Sequence, residues 1–421
     1  MINKKSFYII CTTSLALYAY LLLKYYSFSL LYDDSLFFNQ GINYYSVVEF
    51  SPHFPGYPTF IIFLKFVNLF FNDSFFTLHF INIISIIASI LISSFILIYF
   101  TKNYIFALFM VISLIFSSLI LFCALSMLSD SFGMTFFLLS YYLILKKRFK
   151  SAGIVLAFAF FARPSYFILI IFLLFFYRNR KILMFFIFTS FLILFLLFFK
   201  EGSSYFSEAS RFLKGHFFIW GKGIYQDSLD TTSWQSVFFN KVGILKVFLF
   251  FIPLVFLYKK ELSWLFICYF VWIVFFQNPN SIRHLLPLYF LGHILFFIFI
   301  NKLKYKKIQA IFIFLLFFSS NIYKEDFKSN KSALTKAMEY LPKNSIVISN
   351  YGIYILKSKG FIVLDKYYFY SVKSYIKNNS NKRIFSLSTK EKSFFKNFKK
   401  IKVFKKRVYF EKDIYLFQLI N

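Results

Sequence analysis

Residues 31–60 read LYDDSLFFNQGINYYSVVEFSPHFPGYPTF. Two adjacent carboxylates, Asp33 and Asp34, open the stretch, Glu49 follows, and His53-Phe54-Pro55-Gly56-Tyr57-Pro58 closes it. The whole chain has only 17 acidic residues among 421, so this clustering needs a cause. The flanks supply the context. Upstream lies an apolar run from about Ser6 to Leu23, and downstream similar runs recur between short Lys/Arg clusters, which is the pattern of repeated membrane-spanning helices. The stretch therefore reads as the first outward loop of a polytopic α-helical membrane protein.

Composition agrees. The chain is 59% apolar and 25% aromatic, with a mean hydropathy of +0.66, too apolar to cover a water-facing surface with polar groups. Its 70 Phe, with abundant Ile, Lys, Asn and Tyr, share AT-rich codons, so a biased genome explains them before any aromatic binding function does. The first apolar run follows Asn3-Lys4-Lys5 as a signal peptide would, but lacks a small-x-small cleavage site before Lys24 and reads as a retained helix. A net charge of +31 would suggest a nucleic-acid partner in a soluble protein; here much of it sits in short loops and sets topology, so none is expected. Cys11, Cys123 and Cys268 lie in apolar segments without metal or disulfide spacing.

Basic residues orient the chain. With Lys4 and Lys5 cytoplasmic, the first helix exits near Lys24, and the loop to Asp73 is outside with four acids and Lys65. Helices at about 75–100, 104–122 and 130–145 then lead to Lys102, out to Asp130, and back to Lys146-Lys147-Arg148-Phe149-Lys150. Two short helices, 152–162 and 165–177, flank Arg163-Pro164-Ser165 and end at Arg178–Lys181. Helix seven, 182–199, exits to a polar segment, 200–241. Later spans return to Lys259-Lys260, exit at Gln277–Arg283, return to Lys302–Lys307, and leave again over 308–321. Basic clusters fall on one side and acidic loops on the other, which predicts about eleven spans. The helices themselves carry almost no ionisable residue, and the polar groups gather at the outward ends.

Residues 1–321 are read as this membrane domain and 322–421 as a small extracytoplasmic α/β domain. In the latter, ALTKAMEYL before Pro342 predicts a helix, and SIVISNYGIYILKSKGFIVL has short β-branched runs typical of strands. The domain is basic, and long domains translocate largely regardless of charge. Its basic face suits anionic headgroups.

Four features carry candidate chemistry. Asp33-Asp34 is either a solvated helix cap or, because adjacent carboxylates repel and raise one another's proton affinity, a general-base site. The His53–Pro58 turn, with Pro52 before it, forces irregular backbone ahead of a short helix lying along the interface. Asp130 opens a helix, as a cap or as a second acid. Arg163, and Arg283 with His284, stand at outward helix ends, where they either snorkel to headgroups or hold a lipid phosphate.

The order of these features resembles the GT-C glycosyltransferases, in particular the protein O-mannosyltransferase and lipid A aminoarabinose transferase branch (families 39 and 83). The family's first-loop acid pair is matched by Asp33-Asp34, its proline turn by His53, Pro55, Gly56, Tyr57 and Pro58, its second-loop acid by Asp130, and its Arg-Tyr-like motif by Arg283-His284 with Pro287. Three positions depart from the pattern: the second acid is Asp in place of Glu, the turn begins His-Phe-Pro, and His284 stands where Tyr is usual. The resemblance spans roughly residues 1–300 in architecture and about thirty positions in motif.

The resemblance implies a multi-pass cell-membrane enzyme that transfers a sugar from a polyprenyl-phosphate donor to a glycan, lipid or protein acceptor on the outer face, with inversion. It assigns Asp33 as general base with Asp34 second, Arg283, Arg163 and His284 to the donor phosphate, and Asp130 to the acceptor or, with Asp33, to a divalent metal (Mg, Mn, Ca or Zn). Two alternatives stand beside it. One is a transporter or flippase of lipid-linked sugars, which would show ionisable groups near the midplane or broken helices. The other is an O-antigen polymerase or ligase, for which Arg211 and His216 in the long polar segment are the pointers.

Overall fold

Runs of Ile, Leu and Phe bounded by Asn, Asp, Ser or Lys form the helices, because unbroken apolar sequence must satisfy its backbone internally. The computed structural model describes every residue except 1–2, 27–28, 216–232, 321–329, 367, 380–382, 392, 394, 396 and 421. The N-terminal part contains α1 (Lys4–Tyr25), α2 (Asp33–Asn43), α3 (Pro58–Phe71), α4 (Ser74–Thr101), α5 (Tyr104–Ile115) and α6 (Ser118–Leu125). There follow α7 (Ser129–Leu145), α8 (Phe149–Ala162), α9 (Phe167–Tyr177), α10 (Arg180–Glu201) and α11 (Ser204–Gly215). A short α12 (Trp234–Ser236) leads through a π-helical stretch, Val237–Gly243, into α13 (Ile244–Leu257). Next come α14 (Glu261–Phe276), a 3-10 turn at Ile282–Leu285, α15 (Leu286–Lys302) and α16 (Lys306–Phe318). Asn side chains at 3, 103 and 179 and Asp73 cap α1, α5, α10 and α4 by accepting first-turn amide hydrogens.

Among the described residues five helices are long and apolar enough to cross a membrane: Lys4–Tyr25, Ser74–Thr101, Arg180–Glu201, Trp234–Leu257 and Ile282–Lys302. The segment expected as one span over 104–122 is broken at Phe116-Ser117 and bent by 61°; counted as one crossing it makes a sixth. The other apolar helices, such as Ser129–Leu145 and Phe149–Ala162, are shorter. The chain is thus a helical protein with five or six candidate spans and a small C-terminal sheet domain.

Helix ends sort by charge. Asn103 Nδ2 donates to Asn301 Oδ1 at 3.4 Å, Lys146 lies over Tyr99, and Lys260 lies over Phe100. Tyr141 and Tyr177 both donate to Glu261. These contacts gather the basic clusters near 102, 146, 178, 260 and 302 at one end of the bundle. Asp130, Arg163 and Arg283 each sit at the opposite end of a helix from such a cluster.

The C-terminal domain has α17 (Ala333–Tyr340), β1 (Ile346–Ser349), α18 (Ile353–Ser358), β2 (Ile362–Asp365), α19 (Phe369–Asn378), β3 (Ile384–Ser388), β4 (Phe398–Phe404) and β5 (Ile414–Leu419). The sheet order is β2-β1-β3-β5-β4, parallel through β2, β1 and β3 and antiparallel for β3-β5-β4. The segment SIVISNYGIYILKSKGFIVL therefore holds two strands with a short helix between them. One buried apolar cluster joins Leu36, Phe38, Phe60 and Leu64 to Leu334, Ile355, Leu356 and Leu416, so the sheet domain packs directly on the α2–α3 region.

Candidate active site

Neither acid of the opening pair caps its own helix. Tyr32 is the N-cap of α2 and makes no side-chain cap bond, while Asp33 and Asp34 occupy its first turn. The two carboxylates diverge. Asp34 accepts from Arg283 Nη2 at 2.9 Å. Asp33 Oδ1 instead accepts the backbone N–H groups of Tyr354 and Ile355, at 3.0 and 3.1 Å, in the first turn of α18.

Around Asp34 four distant segments meet. Arg283 also approaches Asp130 Oδ2 with Nε at 3.8 Å, and its guanidinium lies 5.1 Å from the Tyr32 ring centre. Asp130, fully buried in the first turn of α7, is bound by Arg163 Nη2 at 2.9 Å. The Tyr166 hydroxyl donates to the Asp130 backbone carbonyl. Gly133, one turn along α7, allows this approach: a Cβ there would lie 2.5 Å from Arg163 Cβ. Two carboxylates thus face two guanidinium groups in a site largely closed to water. Such pairs are costly to assemble and costlier to break, because each partner left alone is an uncompensated buried charge.

The proline turn delivers a third wall. Gly56 adopts φ +84°, where a Cβ would collide with the Tyr45 hydroxyl, and Tyr57 at φ 46° leads into Pro58 at the start of α3. The Ser51-Pro52 and Phe54-Pro55 bonds are cis. The result places His53 Nε2 3.1 Å from the Tyr57 hydroxyl and His53 Nδ1 3.9 Å from Asp34 Oδ1. Phe212 stacks on the imidazole with ring centres 5.6 Å apart. The carbonyl of Pro55 accepts from the Tyr205 hydroxyl.

Burial pushes the Asp33 carboxyl up to about 6, with the neighbouring Asp34 adding to it and the α18 amides pulling back. For Asp34, burial acts the same way, but the facing His53 and Arg283 hold the carboxyl below its ordinary value. Burial also lowers the proton affinity of His53, with Asp34 opposing it. One acid is thereby suited to take a proton near neutrality, and the other stays charged.

The expected residues fall as follows. Asp34, His53, Tyr57, Asp130, Arg163 and Arg283 come together, and Asp33 adjoins them on α2. His284 is buried in the Ile282–Leu285 turn. The arginines are not free cations awaiting a lipid phosphate, because each is already paired to a carboxylate. What they retain is donors: Arg283 Nη1 and Arg163 Nε are buried without a hydrogen bond. The metal assignment does not fit the geometry. Among the described residues no three His, Cys, Asp or Glu side chains gather, Asp33 is engaged by amides, and Asp130 lies between two guanidinium groups that would repel a cation.

Sequence reading missed the part played by the C-terminal domain. It also missed ionisable residues inside the helices. Lys246, 1% exposed in α13, lies with its ammonium 5.1 Å from the Tyr289 ring centre. His293 bonds the Tyr289 carbonyl and Ser113. The single signal was Lys246 itself, a lone lysine within the apolar run 244–257. Arg211 pairs with Glu208 and covers Phe50, while His216 lies outside the described residues. Compared with known proteins, the sequence matches no family model and no curated protein.

Proposed function

We propose that this protein is a membrane glycosyltransferase that moves a sugar from a polyprenyl-phosphate donor to an acceptor hydroxyl, with inversion, at the outer face of the cell membrane. The observation that carries the reading is the meeting of Asp34, Asp130, Arg163 and Arg283, brought from four segments to the bundle end opposite the basic clusters. With those clusters cytoplasmic, the meeting point and the sheet domain face outward. The shorter apolar helices then complete the eleven crossings as partial or tilted spans.

In this reading Asp33 takes the acceptor hydroxyl proton. The acceptor oxygen bonds the anomeric carbon as its bond to the phosphate oxygen breaks, and the polyprenyl phosphate leaves. The unused donors Arg283 Nη1 and Arg163 Nε are available to the charge that develops on the leaving oxygen. Asp34 and Asp130 hold those arginines in place. The test is transfer of labelled sugar from a polyprenyl-phosphate-linked hexose in membranes. Asp33→Asn should abolish it at normal protein levels, and unchanged transfer would refute the base assignment.

Lys246 supports a second reading, a transporter or flippase of lipid-linked sugars, because a lysine buried within a span, with no carboxylate partner among the described residues, is a common mark of a translocation path. Lys246→Met separates the two. A transferase keeps its activity, whereas a transporter loses flux.

A further inference from the structure

We infer that the C-terminal domain is part of the site: the first turn of α18 is the positioning element for Asp33, holding its carboxylate through the amide hydrogens of Tyr354 and Ile355. This rests on the reading of Asp33 as the proton acceptor. It adds that a separate domain sets where that carboxylate points and how readily it takes a proton.

The geometry is that of a helix cap supplied from elsewhere in the chain. The residue preceding α18 is Gly352, at φ 64°, which has no side chain with which to accept the first-turn amides. Those amides need an acceptor, since a helix's first N–H groups have none within it. Asp33 provides one from 321 residues away, at 3.0 Å to Tyr354 and 3.1 Å to Ile355. The left-handed φ disfavours a capping Ser or Asp at this position, and a Cβ there would also press on Leu334 Cδ2 at 2.5 Å. Six residues make too short a helix to persist alone, so α18 keeps its shape by packing. Ile355 and Leu356 are buried in the cluster shared with α2 and α3, and the Tyr354 ring meets Phe37 edge-on at 5.1 Å. Tyr351 meets Tyr32, the residue next to Asp33, at 6.3 Å.

A second anchor fixes the domain's placement. Arg407, fully buried near the β4–β5 connection, pairs with Glu411 and donates to the Leu125 carbonyl at 3.4 Å. Ser35 donates to the next carbonyl, that of Ser126. The turn that precedes Asp130 is therefore held from both α2 and the sheet domain.

The charged and titratable groups about Asp33 are few. Asp34 lies on its own helix, with Arg283, Asp130 and His53 beyond it. From the domain come Tyr351, Lys412 over the Tyr351 ring, and Lys357 over the Tyr354 ring. The amides stabilise the anion and Asp34 opposes it, so removing an amide should make Asp33 harder to ionise.

Two measurements on the full chain decide the matter. In hydrogen exchange, the Tyr354 and Ile355 amides should be protected in the wild type and in Asp33→Asn, which keeps an acceptor oxygen, and exchange at least tenfold faster in Asp33→Ala. Equal rates in wild type and Asp33→Ala overturn the inference. In sugar transfer from a polyprenyl-phosphate-linked hexose, Tyr354→Pro removes one amide hydrogen in the first turn of α18, where no intrahelical bond is lost. It should move the acidic midpoint of the pH profile up by about one pH unit. Tyr354→Ala keeps the amide and should leave the midpoint in place. A uniform loss of rate in Tyr354→Pro with no movement of the midpoint means a structural contact only and also overturns the inference. Should Tyr354→Pro fail to accumulate, the exchange comparison decides alone. Protected amides released by Asp33→Ala in a protein that transfers no sugar would leave the contact standing and remove the transferase reading.

Discussion

Arg283 binds Asp34 at 2.9 Å across 249 residues of sequence and reaches Asp130 with the same guanidinium. Removing it as Arg283→Met strands Asp34 and leaves Asp130 with Arg163 alone. The expected cost is about 3–5 kcal/mol of stability, the usual penalty for breaking a buried pair. Arg283→Lys should recover only part of it, because an ammonium lacks the planar fork of donors that reaches toward both acids. Thermal unfolding in detergent measures both variants, and equal melting of Arg283→Met and wild type would contradict the pairing.

Asp33 makes a prediction with a definite sign. Its carboxyl is raised in the folded protein to about 6, so the folded state binds the proton more tightly than the unfolded chain. Stability from this group is present in full below the unfolded value near 4 and is lost as pH rises through about 6. At pH 7.5 the ionised Asp33 is a net cost, bounded at about 3 kcal/mol by the size of the displacement. Asp33→Asn keeps the amide bonds without the charge. It should melt higher than wild type at pH 7.5, and the difference should disappear by pH 4. The opposite ordering at pH 7.5 would show that the carboxylate is not desolvated.

Gly133→Ala should displace Arg163. The added methyl would sit 2.5 Å from Arg163 Cβ, and neither helix has room to yield without moving the Asp130 contact. Overpacking of this kind costs about 1–3 kcal/mol. Sugar transfer should fall with it, and unchanged transfer and melting in Gly133→Ala would contradict the close approach.

Orientation is tested by cysteine labelling in intact cells. Cysteines introduced at the exposed positions Gln40 and Lys304 should react from opposite faces, the first from outside. Same-side labelling would overturn the assignment of the basic clusters to the cytoplasm.

How legible all this was in the sequence depends on cost. A charge in an apolar chain is expensive, so Asp33, Asp34, Asp130, Arg163 and Arg283 stood out by residue type, and all but Asp33 joined one ion-paired cluster. Helix positions were legible for the same reason, through the periodic return of Lys and Arg. Partners were not, because pairing depends on three-dimensional approach. Nothing local in Asp33 indicates that its acceptor role lies with amides 321 residues away, nor that Arg163 is spent on Asp130. The break in the 104–122 segment falls at Phe116-Ser117 without Gly or Pro, so the usual breaker signal was missing. Lys246 is hard to single out in the sequence because one lysine scarcely changes the hydropathy of the run around it.

The β4–β5 connection has a consequence for how the protein is made. Val408 and Phe410 belong to the apolar core of the helical bundle, and Arg407 bonds a carbonyl formed 282 residues earlier. During synthesis the early helices must therefore wait, inserted but with a gap in their core, until residues near 410 have been translated and brought to the same membrane side. Assembly is vectorial and finishes late. A ribosome stalled between residues 330 and 400 would leave a nascent chain with the charged cluster's residues all present and the core beside Leu125 still open.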